Sequence, residues 1–247
     1  MTTAPAQDQR RLLDVQALDT RLAQLAHRRR TLPVHAELEA LEARRAQVDD
    51  QLVAARTIAS DVARELAKAE SDVEQVRQRA VRDRQHLESG HGSAKDLQGL
   101  QHELESLGRR QAELEDVQLA IMERAEQAAA AQQALETEQA DLAVQAERLV
   151  ARRDAELAEI DSEVAAVTAQ REQAVAGLDA GLVALYERIR EQQSGLGAAA
   201  LRGRRCEGCR LELNPTDLER IRTAPADEVV RCEECRRILV RVPESAS

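Results

Sequence analysis

The chain contains no tryptophan, no phenylalanine and a single tyrosine, Tyr186. Aromatic side chains bury the most area per residue, so their scarcity excludes a thick core of the usual globular kind. Glycine and proline are also sparse, ten and five in 247 residues, which leaves few places for turns. No run of about 18 apolar residues occurs, so no membrane-spanning helix and no membrane partner are expected. Residues 1–30 lack the apolar block of a signal peptide, and the expected location is cytoplasmic. There is no glycine-rich phosphate loop, no Ser/His/Asp arrangement and no aromatic or mixed pocket lining, so neither catalysis nor a small-molecule substrate is expected.

What remains is rich in Ala, Leu, Glu, Gln and Arg, with 32% charged residues, the composition of long helices. From Leu38 an apolar stripe advances in alternate steps of three and four: Leu41, Arg45, Val48, Leu52, Ala55, Ala59, Val62, Leu66, Ala69, Val73, Val76, Ala80, Asp83, Leu87. Only Arg45 and Asp83 interrupt it. A stripe repeating every 3.5 residues keeps facing one partner helix if the two supercoil, which predicts a coiled coil rather than a disordered chain. At ~1.5 Å per residue this stretch is on the order of 75 Å long.

Residues 1–7 are polar, include Pro5, and are expected to fray. The stripe begins after Leu12 as Val15, Leu18, Leu22, Leu25, Arg29 and Leu32, with Arg28–Arg30 as a solvated basic face. Pro33 coincides with a one-residue slip of register, which predicts a kink or short break over residues 31–35. Ser89-Gly90-His91-Gly92-Ser93 predicts a hairpin turn, and Ser93 with Asp96 has the spacing of a capping box opening a helix at Ala94. That second helix is expected to run unbroken to about Gln193. Its stripe reads Leu97, Leu100, Leu104, Leu107, Gln111, Leu114, Val117, Ile121, Ala128, Leu135, Leu142 and Leu149. After a register shift near Arg152 and Arg153 it reads Leu157, Ile160, Val164, Val167, Arg171, Ala174, Leu178, Gly181 and Leu185. Its surplus length must overhang or fold back on residues 1–32. The expected fold is mainly α: a long antiparallel coiled-coil hairpin over residues 1–195, then a small β-rich zinc ribbon over 196–247.

All four cysteines, Cys206, Cys209, Cys232 and Cys235, fall in that last part as two Cys-x2-Cys pairs separated by 22 residues. Each pair must turn tightly enough to present two thiolates to one ion, and four thiolates satisfy a single tetrahedral, structural Zn2+. A redox pair would need a βαβ setting that is missing, and a cytoplasmic chain does not keep structural disulfides. Strand-like pieces are expected at Ala199–Arg204, Leu211–Leu213, Glu228–Arg231 and Ile238–Val242, with a short helix at Pro215–Arg222 started by Asn214. About 45 residues cannot build an independent core unaided. Zinc is therefore expected to fold the ribbon as its own module, and its removal to leave the hairpin intact.

Two stretches, SAKDLQGLQHELESLGRRQAELED at 93–116 and CEGCRLELNPTDLERIRTAPADEVVRCEECRRILVR at 206–241, resemble the bacterial four-cysteine zinc ribbon proteins with an N-terminal coiled-coil hairpin. That family includes a flagellar regulator and chaperone and a chlamydial type III secretion-associated regulator. The resemblance covers nearly the whole chain and implies an adaptor or chaperone that binds protein clients and, in some members, RNA or transcription factors. The family usually has glycine after the second cysteine of each knuckle, where this chain has Arg210 and Arg236.

The formal net charge is −10. Residues 201–247 hold ten Arg against nine Asp and Glu, so the first 200 residues hold 25 basic against 36 acidic side chains. An acidic rod repels phosphates, and contact with nucleic acid falls to the ribbon arginines Arg202, Arg204, Arg205, Arg210, Arg236 and Arg237. Glu207, Glu233 and Glu234 balance them in part, and no aromatic ring is present there for base stacking. His86, His91 and His102 surround the turn, and His27 and His35 flank Pro33, without the acid or cysteine framework that would make either group a metal site. The expected role is a non-catalytic zinc-binding adaptor that meets an unidentified protein partner through its coiled-coil tip or ribbon, with nucleic acid binding by the ribbon arginines as the alternative.

Overall fold

The computed structural model describes residues 2–242. They form two compact units, residues 2–35 with 151–242, and Ala36–Val150. No helix among the described residues is long and apolar enough to cross a membrane.

Four long helices dominate: α1 at Ala6–Arg30, α2 at Pro33–Glu88, α3 at Ala94–Val175 and α4 at Ala180–Gln192. The break at Pro33 falls where expected. Pro33 starts α2, where its missing N–H costs nothing, and His35 Nε2 lies 3.1 Å from the Arg29 carbonyl. At the turn, Asp96 accepts from the Ser93 N–H at 2.9 Å, and Ser93 Oγ accepts from the Asp96 N–H at 3.3 Å. Hydrogen bonds from Ser93 hold the Asp96 carboxyl below its ordinary value.

In the unit 36–150, every stripe position of α2 from Leu38 to Leu87 except Arg45 is buried or half-buried. With Leu38 and Leu97 each taken as heptad position a, the ion pairs between α2 and α3 obey the antiparallel rule. Arg44–Glu138, Glu65–Arg124 and Arg79–Glu103 join g to g, and Arg56–Glu136 and Arg77–Glu115 join e to e. The α3 stripe departs from expectation once here. Val117 is 52% exposed, and Gln118 takes the seam position.

No register shift occurs at Arg152 and Arg153. The covered positions continue as Ala146, Leu149, Arg153, Glu156 and Ile160. Two polar residues occupy seam positions, so a stripe read from apolar residues alone shows a slip that the helix does not make. The second helix is, however, broken. Gly177 has φ +78°, a left-handed conformation that ends α3 as glycine does at helix C-termini, and Asp179 caps α4 by accepting from the Leu182 N–H at 2.8 Å. The phase restarts there, leaving Gly181 exposed and Leu182 buried.

The other unit holds the ribbon. Strands β1 at Ala198–Arg202, β2 at Arg205–Cys206 and β3 at Ile238–Arg241 form a sheet in the order β2-β1-β3, with helix α5 at Pro215–Thr223. β1 runs parallel to β3, pairing Ala198 with Ile238 and Ala199 with Leu239. The pieces expected as strands at 211–213 and 228–231 contribute isolated bridges, Glu212 to Arg205 and Arg231 to Ile238. Period-two alternation sends Ala198, Ile238 and Val240 into a core with Leu12, Val15, Leu182, Leu185, Tyr186 and Ile189. Ala199, Leu201 and Leu239 point the other way, into a core with the cysteines, Leu218 and Ile221. Both faces of the sheet are therefore buried, and the expected boundary at 195/196 does not divide compact units.

The N-terminus does not fray. The Ala4 N–H donates to the Asp227 carbonyl at 2.8 Å, and the Val229 N–H donates to that of Thr2 at 3.0 Å. The surplus of α3 continues unbroken and pairs with α1 instead of overhanging, with Arg21 and Arg28 of α1 meeting Glu163 and Arg29 meeting Asp161.

Candidate metal centre

The two knuckles are built alike, from Arg205-Cys206-Glu207-Gly208-Cys209-Arg210 and Arg231-Cys232-Glu233-Glu234-Cys235-Arg236. The N–H of Arg210 donates to the Cys206 carbonyl at 2.7 Å, and that of Arg236 to the Cys232 carbonyl at 2.8 Å. The first cysteines donate in turn to the carbonyls of Leu211 at 3.0 Å and Arg237 at 2.9 Å. Arg210 and Arg236 hold φ +64° and +63°, so arginine adopts the left-handed backbone that glycine would take more easily, at about 1–2 kcal/mol each. The arginine before each knuckle pins that residue. Arg205 Nε donates to the Arg210 carbonyl at 3.0 Å and Arg231 Nε to the Arg236 carbonyl at 2.8 Å.

These turns bring the four Sγ atoms within 4.8 Å of one another. Cys206 and Cys235 are 3.9 Å apart, as are Cys209 and Cys232. Tetrahedral zinc with Zn–S of ~2.3 Å requires sulfurs about 3.8 Å apart, so the four thiols fit one structural Zn2+ with no open coordination position. Burial pushes the Cys206 thiol up to about 12 and raises Cys232. At Cys235 burial also opposes ionisation, but donors on the backbone and side chain of Arg237 and the Cys232 and Cys209 thiols together lower it. A bound dication deprotonates such thiols outright.

The six ribbon arginines do not share one role. Arg205 pins its knuckle. Arg237 closes the end of α4, donating to the carbonyls of Leu196 at 3.0 Å, Gln193 at 3.3 Å and Gly208 at 3.5 Å. Arg236 pairs with Glu233, which also takes Arg220. Arg202, Arg204 and Arg210 are exposed, with no acidic partner within ion-pair distance among the described residues. The histidines near the turn are not assembled for ligation: His91 Nδ1 lies 2.8 Å from the Ser89 carbonyl, and His102 faces Glu105.

Sequence reasoning missed the polar root of this unit. Asp19 of α1 is buried and accepts from Arg171 Nε at 2.7 Å and Tyr186 Oη at 2.7 Å. Those Asp19 contacts hold Arg171 more firmly protonated, and burial with the Asp19 bond raises the Tyr186 hydroxyl. Gln16 Oε1 accepts from Tyr186 Oη at 3.3 Å and from the N–H of Gly197 at 2.7 Å. Gly197 is required here, because a Cβ would stand 2.7 Å from the Tyr186 ring. Arg11 donates to the Ala174 and Ala176 carbonyls, and Asp8 accepts from the Asp179 N–H. The lone tyrosine was the available signal, since a buried tyrosine hydroxyl demands a partner.

The family model of the CT398-like coiled coil hairpin domain matches residues 15–194, and that of the C4-type zinc ribbon domain matches residues 205–239. An uncharacterised protein of Mycobacterium tuberculosis strain H37Rv is 42% identical over 238 residues, 95% of each chain. A solved structure from Mycobacterium smegmatis superposes with a TM-score of 0.84 at 38% identity, covering 97% of this chain and 100% of that one. CT398 from Chlamydia trachomatis superposes at 0.65 over 96% and 98% of the two chains, and its 17% identity makes it a likeness of fold.

Proposed function

The chain belongs to the CT398-like coiled coil hairpin family and carries a C4-type zinc ribbon, and on that footing we propose that it is a non-catalytic adaptor that binds a protein partner. All four thiols are committed to one closed shell, which leaves the metal a structural part. A zinc–thiolate centre of this kind fits a reducing compartment, so we place the protein in the cytoplasm. The observation behind the adaptor reading is the segregation of charge. Residues 36–150 hold 14 Lys and Arg against 24 Asp and Glu, the whole net charge of −10, while the remaining residues balance at 21 against 21. The same 36–150 unit exposes Val53, Ile58, Val117, Leu119, Met122 and Val144. An acidic surface with uncovered apolar side chains fits a protein partner better than a phosphate backbone.

A second reading, contact with nucleic acid, narrows from six arginines to Arg202, Arg204 and Arg210, whose guanidinium groups are uncommitted. Photo-cross-linkers placed in the full zinc-loaded chain at Met122, His91 and Leu211 separate the two. Saturable protein adducts from Met122 or His91 are expected. Nucleic acid adducts confined to Leu211 would replace the adaptor reading with the second, and no saturable adduct at any position would overturn both.

A further inference from the structure

α3 carries a second stripe that no helix of the described chain covers. With Leu97 as position a, the a and d residues of α3 face α2, and positions c and g over 115–150 are balanced, Arg124 and Arg148 against Glu138 and Asp141. The b, e and f positions of the same stretch differ. They comprise 16 residues with six acids and not one Lys or Arg. Glu115 and Glu136 are neutralised by Arg77 and Arg56. Asp116, Glu123, Glu126 and Glu147 have no cationic partner within ion-pair distance among the described residues. Among these acids stand Leu119, Met122 and Val144, 56%, 40% and 46% exposed. Leu119 and Met122 stand near one end of this face and Val144, with the half-buried Val150, near the other, so that Leu119 to Val150 spans about 47 Å of helix.

Exposed apolar side chains set among unpaired acids on one helix face are the surface that an amphipathic helix of opposite charge covers. Resting on the adaptor reading above, we propose that this face of α3 docks a cationic amphipathic helix of a partner protein, whose apolar side covers Leu119, Met122 and Val144 while its Lys and Arg meet Glu123, Glu126 and Glu147. The charge decides the occupant. A second copy using the same face would set these acids against each other, which disfavours self-pairing, whereas a basic helix gains both steering and register from them.

The test uses the full zinc-loaded chain and a fluorescent 28-residue peptide of four Leu/Lys heptads, titrated at 0.15 M salt. The triple variant Leu119→Gln, Met122→Gln, Val144→Gln keeps good helix formers on exposed positions, and Ile58→Gln with Val117→Gln is the control on the g flank. The proposal expects the triple variant to weaken binding at least tenfold and the control at most twofold. No loss from either variant would reduce the attraction to diffuse charge, and equal losses from both would mean that the peptide does not select this face; either result would overturn the proposal, as would no binding. A wild-type dimer in solution that the triple variant abolishes would also overturn it, in favour of a second copy. If cross-linking still captures a protein at the tip while the peptide ignores this face, the adaptor reading stands and this face falls.

Discussion

Arg210 and Arg236 hold a backbone conformation that disfavours any side chain, yet each knuckle needs that conformation to return an N–H to its first cysteine. The departure from glycine leaves the ligand geometry intact, because Arg205 and Arg231 tie down the two carbonyls. Replacing Arg210 and Arg236 with glycine is expected to relieve about 1 kcal/mol at each site, after the greater freedom of glycine in the unfolded chain is counted. Slower zinc transfer to a chromogenic chelator from the double variant than from the parent checks this, and faster transfer would show that the side chains themselves hold the knuckles. The ligands were legible because their spacing states their geometry. The roles of Arg205, Arg231 and Arg237 were not, since their partners are backbone carbonyls that a sequence does not display.

At the scale of the element, α2 was legible because an apolar stripe reports the one neighbour a helix faces. α1 faces two. Its apolar stripe, Val15, Leu18, Leu22 and Leu25, appears in the pattern, while its second buried side is built around Leu12 from Gln9, Gln16 and Asp19, which look like solvated residues until their partners are placed. The same blindness made Arg153 and Glu156 of α3 look like a slip of register. Removing the Asp19 charge leaves Arg171 and Arg190 sharing Glu187 alone. Asp19→Asn is expected to destabilise this unit by roughly 3 kcal/mol, since breaking a buried pair strands its partner. Arg44→Gln removes the exposed Arg44–Glu138 pair and is expected to cost less than about 1 kcal/mol. Denaturant melts of the two variants compare them, and equal losses would mean that Asp19 is not a buried anchor.

At the scale of the whole molecule, the presence of a hairpin and a zinc ribbon followed from the seam and the cysteines, but the grouping of parts did not. The run Ile238-Leu239-Val240 held the missing information: three consecutive apolar residues in a strand mean two buried faces, and a lone ribbon has only its zinc side to offer. Here the other face lies on Leu12, Val15, Leu182 and Tyr186, and residues 2–4 pair with 227–229. Metal removal should therefore reach beyond the ribbon. Without zinc, the core around the cysteines loses its centre, β1 and β3 lose one face, and α1 and α4 lose the apolar surface that covers them. Chelation is expected to strip hydrogen-exchange protection from Ala6–Arg30 and Ala180–Gln192 together with the sheet, and to lower the helical circular dichroism in part. Amides between 36 and 150 should keep their protection, because the Leu38–Leu87 seam contains no cysteine. Loss confined to residues 198–241, with α1 and α4 fully protected, would mean that the root stands without the ribbon and that the two cores fold independently.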